Sequence, residues 1–370
     1  MKKRLLMLLA MLFSAAMVLA ACGTGDDEGQ DTEGTDDTDQ NEAVDFTVAM
    51  VTDVGGVDDK SFNQSAWEGL SDFGKENGLE EMKDYTYAQS ETDQDYKTNL
   101  NRLVRQGYDL IYGIGYLLQP AVDEVAQQNP DTNFAIVDSV AEQPNVASIT
   151  FKEHQGSFLV GVAAAMKTKT NKVGFIGGTD SDLINKFEVG FRAGVKSVNP
   201  DAEVVVQYAG GFNMADKGKV IASSMYNQGV DVIYHASGAT GNGAFTEAKD
   251  RKKNNPDEDI WVIGVDRDQY EEGAVTVDGQ EYNVTLTSMV KRVDVAVKDL
   301  STRALEGDFP GGEILEYGLE DNGISVATTN EEALTEDILH EISKWEEQIV
   351  NGDIEVPKNH DELEEYLNSL

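Results

Sequence analysis

Short apolar, β-branched runs alternate with stretches of helical periodicity along most of this chain. That alternation restricts the fold to open α/β sheets or a (β/α)8 barrel. The runs are FTVAMV (Phe46–Val51), DLIYGI (Asp109–Ile114), NFAIVD (Asn133–Asp138), KVGFIG (Lys172–Gly177), EVVVQY (Glu203–Tyr208), DVIYHA (Asp231–Ala236), IWVIGV (Ile260–Val265) and NVTLTS (Asn283–Ser288). Near-continuous apolar runs fit parallel strands buried on both faces. Between them, Phe62, Ala66, Leu70 and Phe73 recur at helical spacing, and Ser61 with Gln64 predicts a capping box. Leu100, Leu103 and Val104 form a second apolar face; Leu183, Phe187, Phe191, Val195 and Val198 form a third. Met289–Leu305 and Leu334–Val350 read as further amphipathic helices. Eight or more strands in 370 residues favour two doubly wound lobes over one sheet, with the barrel as the competing architecture.

The N-terminus carries an export pattern. Lys2, Lys3 and Arg4 precede an apolar stretch from Leu5 to Ala21, and small residues lead into Cys22, the only cysteine. Leu19-Ala20-Ala21-Cys22 resembles a bacterial lipobox, which makes Cys22 the lipidation site; an uncleaved membrane anchor is the alternative. Residues 22–43 hold no aromatic residue, Lys or Arg, and read as an acidic, disordered tether. The arrangement places the protein on the extracytoplasmic face of a bacterial cell membrane. The whole chain has 68 Asp and Glu against 29 Lys and Arg, a net charge of −39, which repels nucleic acid. A single Cys forbids an intrachain disulfide, and the four His are too scattered for zinc.

In open α/β sheets ligands bind beyond the carboxyl ends of the strands. Here those ends run into Thr52-Asp53-Val54-Gly55-Gly56, Gly115-Tyr116, Asp138, Ser237-Gly238 and Asp266-Arg267-Asp268. They come from both halves of the chain, which predicts that they face one another across a cleft. Singly, each Gly reads as a turn and each Asp as a helix cap; together the five ends read as a site. No phosphate loop or nucleophile elbow is present, and GATGNG (Gly238–Gly243) has the wrong glycine order for a dinucleotide fingerprint. His154, at a helix start, and His235, inside a strand, read as structural. These features favour binding over catalysis, with neither cofactor nor metal.

VTDVGGVDDKSFNQSAWEGL (Val51–Leu70) resembles the opening of the basic membrane protein family of substrate-binding lipoproteins. YGIGY (Tyr112–Tyr116), AIVDS (Ala135–Ser139), GSFLVGVAAA (Gly156–Ala165), VGFIGG (Val173–Gly178), FEVGFRAGV (Phe187–Val195), GVDRDQ (Gly264–Gln269) and TSMVKRVD (Thr287–Asp294) are similar to further family blocks, in order. The resemblance implies a type I periplasmic-binding-protein fold, with two Rossmann-like lobes joined by three hinge crossings. After a signal peptide (1–21) and the tether (22–43), it predicts one lobe from 44–149 plus 268–307. The other takes 150–267 plus 308–370, with the place of 334–370 open. It further implies a monomer that binds a purine nucleoside, delivers it to the permease of an ABC importer and does no chemistry on it. Phe62 and Phe212 match the family's stacking positions, where stacking is worth about 1–3 kcal/mol per base. Asp138 matches the acceptor for the base edge, with Asp53 and Asn63 beside it. Asp266 matches the ribose acceptor, neutralised by Lys291, and the Gly238 backbone approaches closely. The plain readings are a core side chain for Phe62 and a solvated helix residue for Lys291. A site ringed by carboxylates disfavours phosphorylated ligands. The rival readings are a sugar or other solute bound for uptake or sensing, and a nucleoside hydrolase using calcium at Asp53, Asp58 and Asp59.

Overall fold

The computed structural model describes residues 45–370. The expected signal peptide, lipidation site at Cys22 and tether lie outside them. The first half runs β1 (Val48–Val51), α1 (Phe62–Glu76), β2 (Tyr85–Ala88), α2 (Asp93–Gln106), β3 (Leu110–Ile114), α3 (Gln119–Gln128), β4 (Asn133–Val137), β5 (Val146–Phe151) and α4 (Glu153–Lys167). It continues through β6 (Lys172–Gly177), α5 (Asp182–Val198), β7 (Glu203–Tyr208), α6 (Ala215–Asn227), β8 (Val232–Ala236), α7 (Asn242–Asn254) and β9 (Trp261–Asp266). Then follow β10 (Ala274–Val277), β11 (Gln280–Asn283), β12 (Thr285–Lys291), α8 (Val293–Leu305), β13 (Ile314–Tyr317), β14 (Ile324–Val326), α9 (Glu336–Val350) and α10 (His360–Ser369).

Two six-stranded sheets form, in the orders β13-β5-β4-β3-β1-β2 and β14-β12-β9-β8-β6-β7. The first is wholly parallel; in the second only β14 runs antiparallel. Two open sheets exclude the barrel, and the architecture is the type I periplasmic-binding fold. Strands β1, β3, β4, β8 and β9 are buried almost end to end, which is why their sequences lack polar alternation. Helices α4 and α5 cross so closely that a Cβ on Gly194 would lie 2.0 Å from the Phe158 carbonyl oxygen. Gly161 meets the Phe191 carbonyl in the same way, at 2.4 Å.

The sheets divide the chain differently from the boundaries predicted above. The resemblance places residues 268–291 in the first lobe, but β12 pairs with β9 in the second sheet. It places residues 314–317 in the second lobe, but β13 pairs with β5 in the first. The cut at 149/150 falls inside β5. The physical reason is shared by both lobes: each sheet is completed by a strand arriving late in the chain, and pairing, not sequence order, sets its membership. The chain therefore crosses between sheets after Phe151, after Lys291 and after Tyr317. Backbone hydrogen bonds join these crossings: Lys152 N–H to the Tyr317 carbonyl and Arg292 N–H to the Gly323 carbonyl, each 2.9 Å. Helix α8 packs on α1, whereas α9 and α10 pack on α4 and α5.

Two local expectations are also corrected. Met289–Leu305 is not one helix: β12 runs through Lys291 and α8 begins at Val293. Ser61 is the N-cap of α1, but its hydroxyl makes no cap. The Asp59 carboxylate does so, accepting from the amides of Ser61 (2.8 Å), Asn63 (2.8 Å) and Gln64 (3.1 Å).

Candidate functional site

Strand order reverses between β1 and β3 in one sheet and between β6 and β8 in the other. Such switch points leave a crevice at the strands' carboxyl ends. The two crevices face each other across one space lined by residues of both lobes. All eight residues singled out from the sequence (Asp53, Phe62, Asn63, Asp138, Phe212, Gly238, Asp266 and Lys291) line this space.

Two aromatic rings enter from opposite lobes. Phe62 is the first residue of α1, and Phe212 sits in the loop between β7 and α6; both are half-buried. Phe212 rests on Gly178, where an added Cβ would meet its ring at 2.2 Å. Thr240 fixes that loop, donating its amide to the Phe212 carbonyl and its hydroxyl to the Gly211 carbonyl, both 2.9 Å.

The charged groups form one buried cluster. Asp138 follows β4 and Asp266 ends β9, equivalent positions in the two sheets. Both adopt the left-handed region, with φ of 65° and 66°. Asp tolerates this conformation better than most residues, and such strain gathers at functional sites. Lys291, at the end of β12 and only 2 % exposed, lies between them. Its Nζ is 2.6 Å from Asp138 and 3.5 Å from Asp266. The sequence reading pairs Lys291 with Asp266; the shorter contact is to Asp138 across the cleft. The Phe62, Phe151 and Phe187 rings surround the ammonium at 4.6, 5.4 and 5.6 Å. Burial pulls the Lys291 pKa down, but Asp138, Asp266 and Glu153 outweigh it, so the net shift is upward and the group is charged at neutral pH. Burial raises the Asp266 pKa against the opposing pull of Lys291.

Asp138 uses one oxygen for Lys291; its other oxygen, Oδ1, is buried without a partner. Asp53 uses Oδ1 for the Gly55 amide and the Asn63 side chain, each at 2.7 Å. Burial drives its pKa up to about 7. Asn63 lines the space, yet its amide is engaged on every side: its oxygen accepts from the Asp53 amide, and its nitrogen donates to Asp53 and Asp59. It orients Asp53 rather than offering a free group, which its position in the sequence does not reveal. Asp59 turns both oxygens to α1 and Asn63, and among the described residues no group of three His, Cys, Asp or Glu is placed to hold a metal ion.

His154 and His235 are neutral at neutral pH. His235 is buried, which lowers its pKa to about 4, and its Nε2 lies 3.0 Å from Gln269 Oε1. That oxygen also accepts the Val265 amide, so Nε2 is the donor. Burial, then Lys186, lowers His154 to about 4. Beside it Glu153, wholly buried at the first crossing, is raised by burial to about 7.

The lobes are shut. Ser61 donates to Asp266, Gln269 Nε2 to the Lys60 carbonyl (3.0 Å) and Asn242 to the Asp59 carbonyl (3.0 Å). Arg267 grips Glu68 through two bonds, 2.9 and 2.7 Å. Sequence reasoning gave no site role to the side walls Leu183 and Phe187, whose helical stripe reads as core, or to Ile184 beside them, and placed Tyr116 only with the strand end it follows.

A family model described as "ABC transporter substrate-binding protein PnrA-like" matches residues 46–360. The chain is 55% identical to the "CD4+ T-cell-stimulating antigen" of Listeria innocua, covering 97% of this chain and 99% of that one. It is 46% identical to the "ABC transporter nucleoside-binding protein BmpA" of Lactococcus lactis, covering 96% and 99%. Among solved structures it is similar to a solute-binding protein of an ABC transporter system from Aeropyrum pernix K1, with a TM-score of 0.75 and 27% identity over 88% of this chain and 98% of that one.

Proposed function

This chain belongs to the family of PnrA-like ABC transporter substrate-binding proteins, and on that premise we propose that it captures a purine nucleoside between its lobes and delivers it, unaltered, to the permease of an ABC importer. The observation that carries this reading is the pairing of Phe62 and Phe212, from opposite lobes, around one space bearing a free, buried carboxylate oxygen on Asp138. Two rings on either side suit a flat base. The free Asp138 oxygen suits a purine N–H, and Asp53 supplies a second acceptor when ionised. Asp266, held by Ser61 and Lys291, suits the ribose hydroxyls. The name of the Lactococcus lactis relative agrees with this ligand class.

In this reading the ligand bridges the lobes and draws an open–closed equilibrium toward the shut form, which docks on the permease. Lipid on Cys22 holds the monomer at the extracytoplasmic membrane surface; among the described residues no helix is long and apolar enough to cross a membrane. Carboxylates ring the site and Lys291 is already engaged, so a nucleoside binds in preference to its 5′-monophosphate. The test is mass spectrometry of ligand released by denaturing the purified protein, followed by thermal shifts with guanosine, inosine, adenosine, their monophosphates and sugars. A purine nucleoside released intact, or a shift confined to nucleosides, is expected. A shift with sugars alone overturns the ligand class, and release of free base from guanosine overturns the non-catalytic role.

A further inference from the structure

We propose that Tyr116 is the clasp of the cleft: its hydroxyl, bonded across the mouth to Thr179, closes the route by which the ligand leaves. Nothing in the ligand assignment uses this residue. Tyr116 follows Gly115, whose φ of 109° and ψ of 145° bend the chain sharply at the end of β3, in a region that essentially only glycine adopts. That bend carries the Tyr116 ring over the cleft. Its Oη lies 2.8 Å from Thr179 Oγ1, which follows β6 in the other lobe. Its ring meets Phe212 edge to face, with centroids 6.4 Å apart.

The position of this contact shows what it separates. Tyr116 and Phe212 line the inner space. On the far side of Phe212 lies an outer groove, lined by Thr179 and Leu117 and by Phe212 itself. The Tyr116–Thr179 bond therefore joins a residue of the inner wall to one of the outer wall. Both hydroxyls are half-buried and belong to different lobes, so parting the lobes breaks the bond. A ligand held between Phe62 and Phe212 and leaving toward the outer groove has to pass this wall.

A clasp of this kind acts on departure. Association begins from the open form, in which the bond does not exist, and so is unaffected. Removing the hydroxyl by Tyr116→Phe keeps the ring and its packing on Phe212. The expected result is ligand dissociation about three- to tenfold faster, the scale of one net hydrogen bond, with an unchanged association rate. Thr179→Val is expected to do the same, and the double variant no more than either single one, because both remove one bond.

The experiment is stopped-flow measurement of guanosine association and dissociation on the wild type, the two single variants and the double variant, with thermal unfolding alongside. An unchanged dissociation rate in Tyr116→Phe overturns the proposal, as does a double variant whose effect is the product of the singles. A lowered melting temperature with wild-type dissociation assigns Tyr116 a structural role and overturns it equally. The inference rests on the nucleoside reading only for its probe. If the wild type binds another solute instead, that result refutes the nucleoside reading, and the same four rates taken with that solute decide the clasp.

Discussion

Replacing Lys291 by Met is the sharpest test of how the site is held together. At an effective dielectric near 20, charges 2.6 and 3.5 Å apart attract by about 6 and 5 kcal/mol, gross of the burial that opposes them. Taking away the cation leaves Asp138 and Asp266 facing each other in a desolvated space, and breaking a buried pair in this way typically costs about 3–5 kcal/mol. The cost does not fall on the fold as a whole. Both carboxylates sit at strand ends facing the cleft, so water reaches them as soon as the lobes part. The penalty is therefore borne by the closed form, and through it by ligand affinity. Isothermal titration with guanosine at pH 7.5 is expected to show Kd weakened by roughly 150- to 4,000-fold, while urea unfolding moves by less than the full penalty. Burial already raises the Asp266 pKa and Lys291 opposes that rise, so without the lysine Asp266 takes up a proton more readily as pH falls, and the ratio of variant to wild-type Kd should narrow toward pH 5.5. A Kd within threefold of wild type refutes the reasoning. So does a loss of affinity matched by an equal loss of unfolding stability, since that would place the charge cluster in the lobe cores.

Three further outcomes follow from particular contacts. Asp53 has a folded pKa of about 7 against an ordinary 3.8. Between those values the folded protein keeps a proton that the unfolded chain has released, so stability declines as pH rises; Asp53→Asn removes this slope, and urea midpoints at intervals from pH 4 to 7 should diverge in the variant's favour. Gly178→Ala drives a Cβ into the Phe212 ring; displacing one stacking face should weaken guanosine binding by about 5- to 150-fold in titration calorimetry, with the association of unrelated solutes unaffected. Gly194→Ala puts a Cβ 2.0 Å from the Phe158 carbonyl oxygen; forcing α4 and α5 apart should cost about 1–3 kcal/mol in urea unfolding, and an unchanged midpoint would show that the helices part freely.

Most buried strands were legible because burial on both faces leaves its mark in every residue; KVGFIG predicts β6 with the bounds it has, whereas β5, buried between β13 and β4, was missed. Of the edge strands, β7 was legible with its own bounds as EVVVQY, but β2, β13 and β14 were not. Residues 314–317 alternate between exposed and half-buried, and nothing local distinguishes Ile314–Tyr317 from a loop until β5 lies beside it. The same long-range pairing moved the lobe boundaries. Apolar content alone also could not show where Met289–Leu305 changes from strand to helix, a one-residue break at Arg292 that puts Lys291 at a strand end in the cleft. For the site, the strand ends named the neighbourhood and the family resemblance named the eight residues. Neither could supply the hydrogen bonding that turns Asn63 inward and leaves Asp138 Oδ1 free.

The start of α1 shows why such detail escapes a sequence. Ser61 and Gln64 stand at capping-box spacing, and by local rules the serine hydroxyl belongs to the helix. Asp59 competes for the same amides with two charged oxygens and reaches three of them. Once it has done so, the Ser61 hydroxyl is free for Asp266, a residue 205 positions away in the other lobe. One short loop thereby sets the first turn of α1, aims Phe62 into the cleft and contributes a bond that exists only when the lobes are shut. Asp59→Ala should consequently return Ser61 to its local capping role, coupling a loss of helix stability to a loss of closure. Local patterning can offer both candidates for the cap; only the partner across the cleft decides between them.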